Sequence, residues 1–452
     1  MQATTTTLLD ASEHFNRSWA DLSGDFILRA RICLPTATPG ARAGWLLRRS
    51  EGERPCVEAC LHDEGQALLL VHSREGGTLS LRLPVHGAEI LQLERRGESL
   101  VFSAAVPGEP FVHSDPFGFE FPALLQGGLF DCHQNSDTKA ASRFSELRAI
   151  KPPRAGYVPY TDYIGSRLEL LTVSSGELEI VHSSHEAFEA PNWRPDGRTL
   201  IFNVSGPGAA RGLLRNFDVV TREVTPLDTG FGVRNNNDHV LSFDGSQLAI
   251  SHHTEEDEGR SVIYTLPSSG GTPRRVTPQS PSYLHGWSPD ARWLVYTGGR
   301  RPGPGAPEKY DIYRIPVEGG AEQRLTDSPG LSDGPEFSPD GRHIYYNSTR
   351  SGLMQLWRMR ADGSEQEQLT NDAFNNWFPH LSPDGKWIVF LSYGQDVLPW
   401  EHPYYKHVYL RLMPASGGPA RVLAYIYGGQ GTMNVPCWSP DGTRLAFVSN
   451  SG

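Results

Sequence analysis

The chain has 452 residues, with 41 Lys and Arg against 52 Asp and Glu, a formal net charge of −11. That balance excludes a general affinity for nucleic acid or anionic lipid, both of which need a basic surface. The 47 glycines and 35 prolines fall between short apolar runs, a pattern of many short strands joined by tight turns.

The first residues, "MQATTTTLLDASEHFNRSW", lack a basic start followed by an apolar core, so no secretory signal is expected. No run of about 18 apolar residues occurs, so no membrane span is expected either. Five cysteines (Cys33, Cys56, Cys60, Cys132 and Cys437) are an odd number without C-x-x-C pairs, which predicts reduced thiols and a cytoplasmic protein.

Residues 1–152 read as a first domain. "DFILRARICLP" alternates Phe26, Ile32 and Leu34 with polar residues, and "AEILQLERRGESLVFSAAVPGEPF" reads as two strands around Arg96-Gly97-Glu98. "GGLFDCHQNSDTKAASRFSELRAI" ends on strand-like Phe144, Leu147 and Ile150. These runs resemble a concanavalin-like (laminin-G-like) jelly-roll β-sandwich. The resemblance implies either a packing partner for the rest of the chain or a glycan-binding module. The proline-marked stretch within 153–165 reads as a linker.

From residue 166 to 452 the chain repeats itself. Six segments align: "EAPNWRPDGRTLIFN", "NNDHVLSFDGSQLAIS", "YLHGWSPDARWLVYT", "DGPEFSPDGRHIYYN", "WFPHLSPDGKWIVFL" and "NVPCWSPDGTRLAFV". Their anchors are Trp193, Leu241, Trp287, Phe337, Leu381 and Trp438, spaced by 48, 46, 50, 44 and 57 residues. Each unit reads as an apolar strand, a Pro-Asp-Gly turn and a second alternating strand, and Asp-Gly supplies the positive-φ position the turn needs. A second hairpin such as "DIYRIPVEGGAEQRLT" follows most anchors, and four strands per 40–50 residues is the period of a propeller blade. The last unit stops two strands short, while "SRLELLTVSSGELEIVH" (166–182) supplies a spare hairpin. The expectation is therefore an all-β protein: a six-bladed β-propeller, closed by pairing 166–182 with the C-terminal hairpin, behind an N-terminal sandwich.

"WSPDG" followed by "DIYRIPVEGGAEQRLT" resembles the TolB-like propeller, also called the PD40 or WD40-like repeat. Propellers of this kind serve as scaffolds, peptidase gates and sugar lyases, so fold alone does not choose a function. No G-x-S-x-G elbow, P-loop, Rossmann glycine set or zinc ribbon occurs, which excludes a serine peptidase within these residues.

Candidate site residues follow from the first strand of each repeat, which lines the channel of a propeller. Two before the anchor stand Pro191, His239, His285, Pro335, Pro379 and Pro436; four before stand Glu189, Asn237, Tyr283, Asp333, Trp377 and Asn434. Strand alternation gives each set one face, so His239 and His285, at one register in adjacent repeats, are expected to meet. The second set mixes carboxylates, amides and aromatics, the groups that serve sugar hydroxyls and C–H faces. Asn235, Asn236, Asp238, Asn375, Asn376, Gln430 and Thr432 lie nearby in sequence. Of these, Asp238, Asn376 and Gln430 join Asn237, Tyr283, Trp377 and Asn434 as candidate substrate contacts. His380, one before its anchor, is expected on the opposite face. The insertion "YGQDVLPWEHPYYKH", with Trp400, His402, Tyr404 and Tyr405, reads as a lid or a contact surface.

Two classes of function remain open. Oligogalacturonate lyases are TolB-like propellers that hold a divalent metal, largely through histidines, at a sugar carboxylate. By that resemblance His239 and His285 would hold Mn, Ca or Zn, helped by Asn237, Asp238 or Gln430, for proton abstraction from a uronate. Without metal, His239 and His285 would act as base and acid, or Asp333 and Glu189 would carry out glycoside hydrolysis. The partner is then a small oligosaccharide, with no nucleic acid and no membrane. The other class is a non-catalytic TolB-like scaffold for protein or glycan binding.

Overall fold

A computed structural model describes residues 19–35, 40–51, 53–62, 65–73, 76–122, 124–132, 141–158, 161–205 and 212–452. The opening segment read above for a signal lies almost wholly outside the described residues. Every described element is a β-strand, and no helix occurs among the described residues. The chain divides into two compact units, Met1–Ala155 with Gly452, and Gly156–Ser451.

The first unit holds two antiparallel sheets. One runs Ala20–Leu22, Leu125–Cys132, Arg42–Arg48, Val57–His62, Gln66–His72, Thr78–Arg82 in spatial order; the other runs Phe117–Gly118, Ser99–Ala105, Ile90–Arg96, Phe26–Cys33, Arg143–Ile150, with Val112–His113 on Ser99–Ala105. Trp45, Leu47, Leu61 and Leu69 from the first sheet share one core with Phe26, Leu28, Leu93 and Phe102 from the second. The three-residue spacing of Phe144, Leu147 and Ile150 breaks strand alternation for a physical reason. A bulge between Ser145 and Arg148, with Glu146 at φ 52°, inserts an extra residue and returns Leu147 to the core side. All five cysteines are free thiols.

The second unit contains five four-stranded antiparallel sheets and one three-stranded sheet. The three-stranded sheet joins the two ends of the unit: Ser166–Thr172 pairs with Glu177–Ser184 on one side and with Arg444–Asn450 on the other. Asn192 strengthens this junction by donating from Nδ2 to the Pro436 carbonyl at 2.7 Å.

The repeated Ser-Pro-Asp-Gly turn has a local chemical cause. Ser242, Ser288, Ser338, Ser382 and Ser439 each donate through Oγ to the aspartate two residues on, at 2.5–2.6 Å. The same aspartate oxygen accepts a backbone N–H two residues later, for example Arg292 N to Asp290 at 3.1 Å and Lys386 N to Asp384 at 3.1 Å. The side chains thus stand in for the backbone partners that a tight turn leaves unmet.

Neighbouring sheets are tied through the ends of their first strands. The anchor Trp287 donates from Nε1 to the Val240 carbonyl of the preceding sheet at 2.9 Å, and Trp438 donates to the His380 carbonyl at 3.0 Å. One position before the anchor, Asn192 and Glu336 accept the backbone N–H of Leu241 and Leu381 in the next sheet, at 3.1 and 3.0 Å. These bonds fix how far one sheet is rotated from the next, and so where the first strands deliver their side chains.

Candidate functional site

The first strands run Ala187–Trp193, Asn235–Leu241, Ser282–Trp287, Ser332–Phe337 and Asn375–Leu381, and every one carries a β-bulge against its partner. In three of them the residue three before the anchor is left-handed: Ala190 (φ 54°), Gly334 (φ 61°) and Phe378 (φ 54°). A bulge re-aims the side chains next to it. In Asn235–Leu241 it is longer. Asn235 pairs with His252 and His239 with Ile250, so four steps on one strand match two on the other.

That extra residue corrects the expected histidine pair. His239 does not line the pocket formed by these strands; Asp238, one residue earlier, does. His239 is fully buried, with Nε2 3.3 Å from the Ile201 carbonyl of the neighbouring sheet and Nδ1 without a hydrogen-bond partner. Burial pushes its imidazole down to about 4, so it stays neutral across the physiological range. Simple alternation from the anchor placed His239 and His285 together, and the longer bulge separates them.

The pocket itself has a volume of about 810 Å³. Eight expected residues meet there: Glu189, Asn237, Asp238, Tyr283, His285, Asp333, Gln430 and Asn434. Trp377 and Asn376 do not. Trp377 is buried in an apolar cluster, its ring 4.4 Å from that of His402. Asn376 is held by Asp372 (3.0 Å), Thr370 (3.2 Å), Ser392 (2.7 Å) and Gln355 (3.3 Å) of the preceding sheet, away from the pocket. His380 faces away from the pocket residues and pairs through Nδ1 with Glu336 at 2.6 Å.

Sequence reasoning missed Phe378, whose ring lies 5.9 Å from that of His285 at 25°, because its wall position depends on the left-handed bulge. It also missed Tyr310 and Thr297, which come from inner strands of their sheet. Trp400, His402 and Tyr404 line the pocket as well, so the insertion contributes to the wall. Its aromatic composition was the available signal.

The electrostatics are uneven. His285 Nε2 lies 3.2 Å from Asp333 Oδ1. Against burial, which pushes an acid up, the bond from His285 and that from Thr297 Oγ1 (2.6 Å) hold Asp333 down to about 2. Against burial, which pushes an imidazole down, Asp238 and Asp333 raise His285 above its ordinary value. Glu189 has no such cation, and Asp238 shares the charge of His285 with Asp333. Burial pushes Glu189 up to about 7, although its carboxylate accepts the Tyr404 hydroxyl at 2.8 Å. Burial likewise pushes Asp238 up to about 6, although Asn236 Nδ2 donates to it at 2.7 Å. His402 is lowered by burial.

Gly431 is what lets Glu189 sit in the wall. It adopts φ 86°, and a Cβ there would lie 2.5 Å from Glu189 Cγ. Its N–H donates to Asn434 Oδ1 at 2.8 Å, and its carbonyl accepts from Ala190 N at 2.7 Å. Tyr404→Phe should lower stability by about 1 kcal/mol at pH 8, where Glu189 is ionised, and by little at pH 5, where it is protonated. Urea denaturation at the two pH values measures the difference.

A metal held by His239 and His285 does not fit this arrangement, since His239 lies outside the pocket wall with its Nε2 on a carbonyl. Among the described residues, no group of three or more His, Cys, Asp or Glu side chains is placed to hold a metal ion.

Comparison with known proteins gives four findings. Residues 287–398 match the TolB β-propeller domain (PD40) family. An uncharacterized protein of Agrobacterium fabrum, Atu1656, is 45% identical over 285 residues, 63% of this chain and 92% of that one. A solved Agrobacterium tumefaciens structure, provisionally assigned as TolB, is 44% identical with a TM-score of 0.59, covering 64% of this chain and 100% of its own. An oligogalacturonate lyase in complex with manganese is 14% identical with a TM-score of 0.37, covering 64% and 91%. At that level the likeness carries no argument about activity.

Proposed function

The chain belongs to the TolB β-propeller (PD40) family, and from that premise we propose that its second unit is a non-catalytic binding module for a small hydroxyl-rich ligand of the glycan class. The observation that carries the reading is the pocket, where amides, carboxyls and aromatic rings converge from separate sheets and from one loop. Sugar hydroxyls need paired donors and acceptors, and sugar C–H faces rest on rings; Asn237, Asn434 and Gln430 supply the first, Tyr283, Tyr310 and Trp400 the second. The lyase reading was built on His239 and His285 at one centre, and with His239 sealed between sheets that pair does not form. In the same proposal the six sheets are six blades closed by their two ends, and the first unit is a concanavalin-like sandwich.

The test incubates the intact chain with a panel of neutral, amino and uronic oligosaccharides. At least one is expected to raise Tm in a dose-dependent way while mass spectrometry recovers every oligosaccharide uncut. Cleavage products, or unsaturated uronate absorbance, would instead establish an enzyme.

A further inference from the structure

The pocket wall holds three carboxyl groups, Glu189, Asp238 and Asp333. Facing them are four groups that could carry positive charge. His285 is committed to Asp333 at 3.2 Å. Arg234, half exposed, lies 3.8 Å from Glu255. His253 bonds the Gly259 carbonyl through Nδ1 at 2.9 Å. His402, the fourth, is held towards its neutral form by burial. Among the described residues, no lysine lines the pocket.

Glu189 is thus a buried carboxyl whose polar partners are amides and a tyrosine hydroxyl. Asp238 is bonded by an amide and feels only the charge of His285, which it shares with Asp333, so three carboxyls face one imidazolium. Burying an ionised carboxylate without a cation is costly, so such a group either takes up a proton or waits for a cation. The aromatic rings of Tyr283, Tyr310 and Trp400 line the same space, and ring faces attract cations once water is displaced. A second observation points to an organic ligand. His285 is 5% exposed, lies on the pocket wall, and has an Nδ1 without a hydrogen-bond partner. The Asn434 backbone also favours the charged ring, and Nδ1 is a buried donor in the wall with no partner at hydrogen-bond distance.

We propose that the pocket selects a ligand carrying a charged amine, of the amino-sugar class, with the ammonium seated against Asp238 and Glu189. The inference rests on the glycan reading above and names the charge of the sugar. A bare metal ion is disfavoured by the donor placement, which gathers no three ligating side chains among the described residues. A uronate is disfavoured because it would add a negative charge beside two carboxyls that already resist ionisation.

Three trisaccharides separate the possibilities: the glucosamine trimer with free amines, its N-acetylated counterpart and trigalacturonate. Calorimetric titration of the intact chain at pH 6.5 should show the free-amine trimer binding ~tenfold or more tighter than the acetylated one. Trigalacturonate should bind weakest. Asp238→Asn should bring the first two within about threefold of each other, as expected when one charge contact is removed. Titrations in buffers of different ionisation enthalpy give an independent readout on the wild type, since an ammonium should expel protons from Asp238 and Glu189. Equal or tighter binding of the acetylated or uronic trimer overturns the cation inference and leaves the glycan reading standing. Failure of all three to bind at millimolar concentration overturns both.

Discussion

Asp333→Ala is expected to destabilise the protein by about 3–5 kcal/mol at pH 6, because it strands the buried His285 imidazolium and leaves Thr297 without its acceptor. The pH dependence has a worked sign. Asp333 is held down to about 2 in the fold against an ordinary value near 3.8, so its stabilisation is complete above about 4 and lost as pH falls towards 2. His285 is raised, so its share is complete below about 6.5 and lost as pH rises through its folded value. The pair therefore stabilises most between those limits, and the variant should lose that maximum. Chemical denaturation across pH 3–9 measures it. The double variant Asp333→Asn/His285→Gln should recover at least half the loss, since it removes both charges. A single-variant loss below about 1 kcal/mol would mean the pair is not buried as described.

Glu189→Gln should act in the opposite direction and stabilise the protein at high pH. The carboxyl is pushed up to about 7 in the fold, against an ordinary value of 4.5, so the folded state holds its proton more tightly than the unfolded chain does. Stability from this group is complete below about 4.5 and lost as pH rises to about 7. Glutamine keeps the shape and still accepts the Tyr404 hydroxyl, but cannot ionise. The gain should reach up to about 3 kcal/mol at pH 8.5 and vanish near pH 4. Asp238→Asn should follow the same course, with its transition nearer pH 6. A Glu189→Gln variant no more stable than wild type at pH 8.5 would show that the carboxylate has a cation or water partner there.

Local chemistry explains what could be read from sequence. The Ser-Pro-Asp-Gly turns announce themselves because serine and aspartate make the same two bonds wherever they recur, and the alternating strands beside them follow. Eight of the eleven candidate side chains reach the pocket because distance from the anchor is a good guide on a strand. It fails where the bulge is longer than in the neighbouring strands or turns a bulky residue left-handed. One extra residue before His239 exchanges it with Asp238 at the wall, and a left-handed Phe378 brings a ring no alternation would place there. Nothing in the composition of "RNNNDHVLSFDG" separates a bulge of one residue from a bulge of two. The 393–407 insertion could be read as lid or surface for another reason: its place in the wall rests on long-range contacts, Trp400 and His402 on the pocket and Tyr404 reaching Glu189 across 215 residues.

Glycan binding by the second unit in this pocket is open to a direct test. The most direct measurement is a glycan array probed with wild type, Trp400→Ala and Val220→Ser. Trp400 lies on the pocket and is 59% exposed, so its removal should spare the fold; Val220 is an exposed control away from it. Wild type and Val220→Ser should bind the same set of glycans, with amino-bearing members strongest, and Trp400→Ala should lose most of that signal. An array without bound glycan, or a signal that Trp400→Ala leaves intact, would contradict the claim.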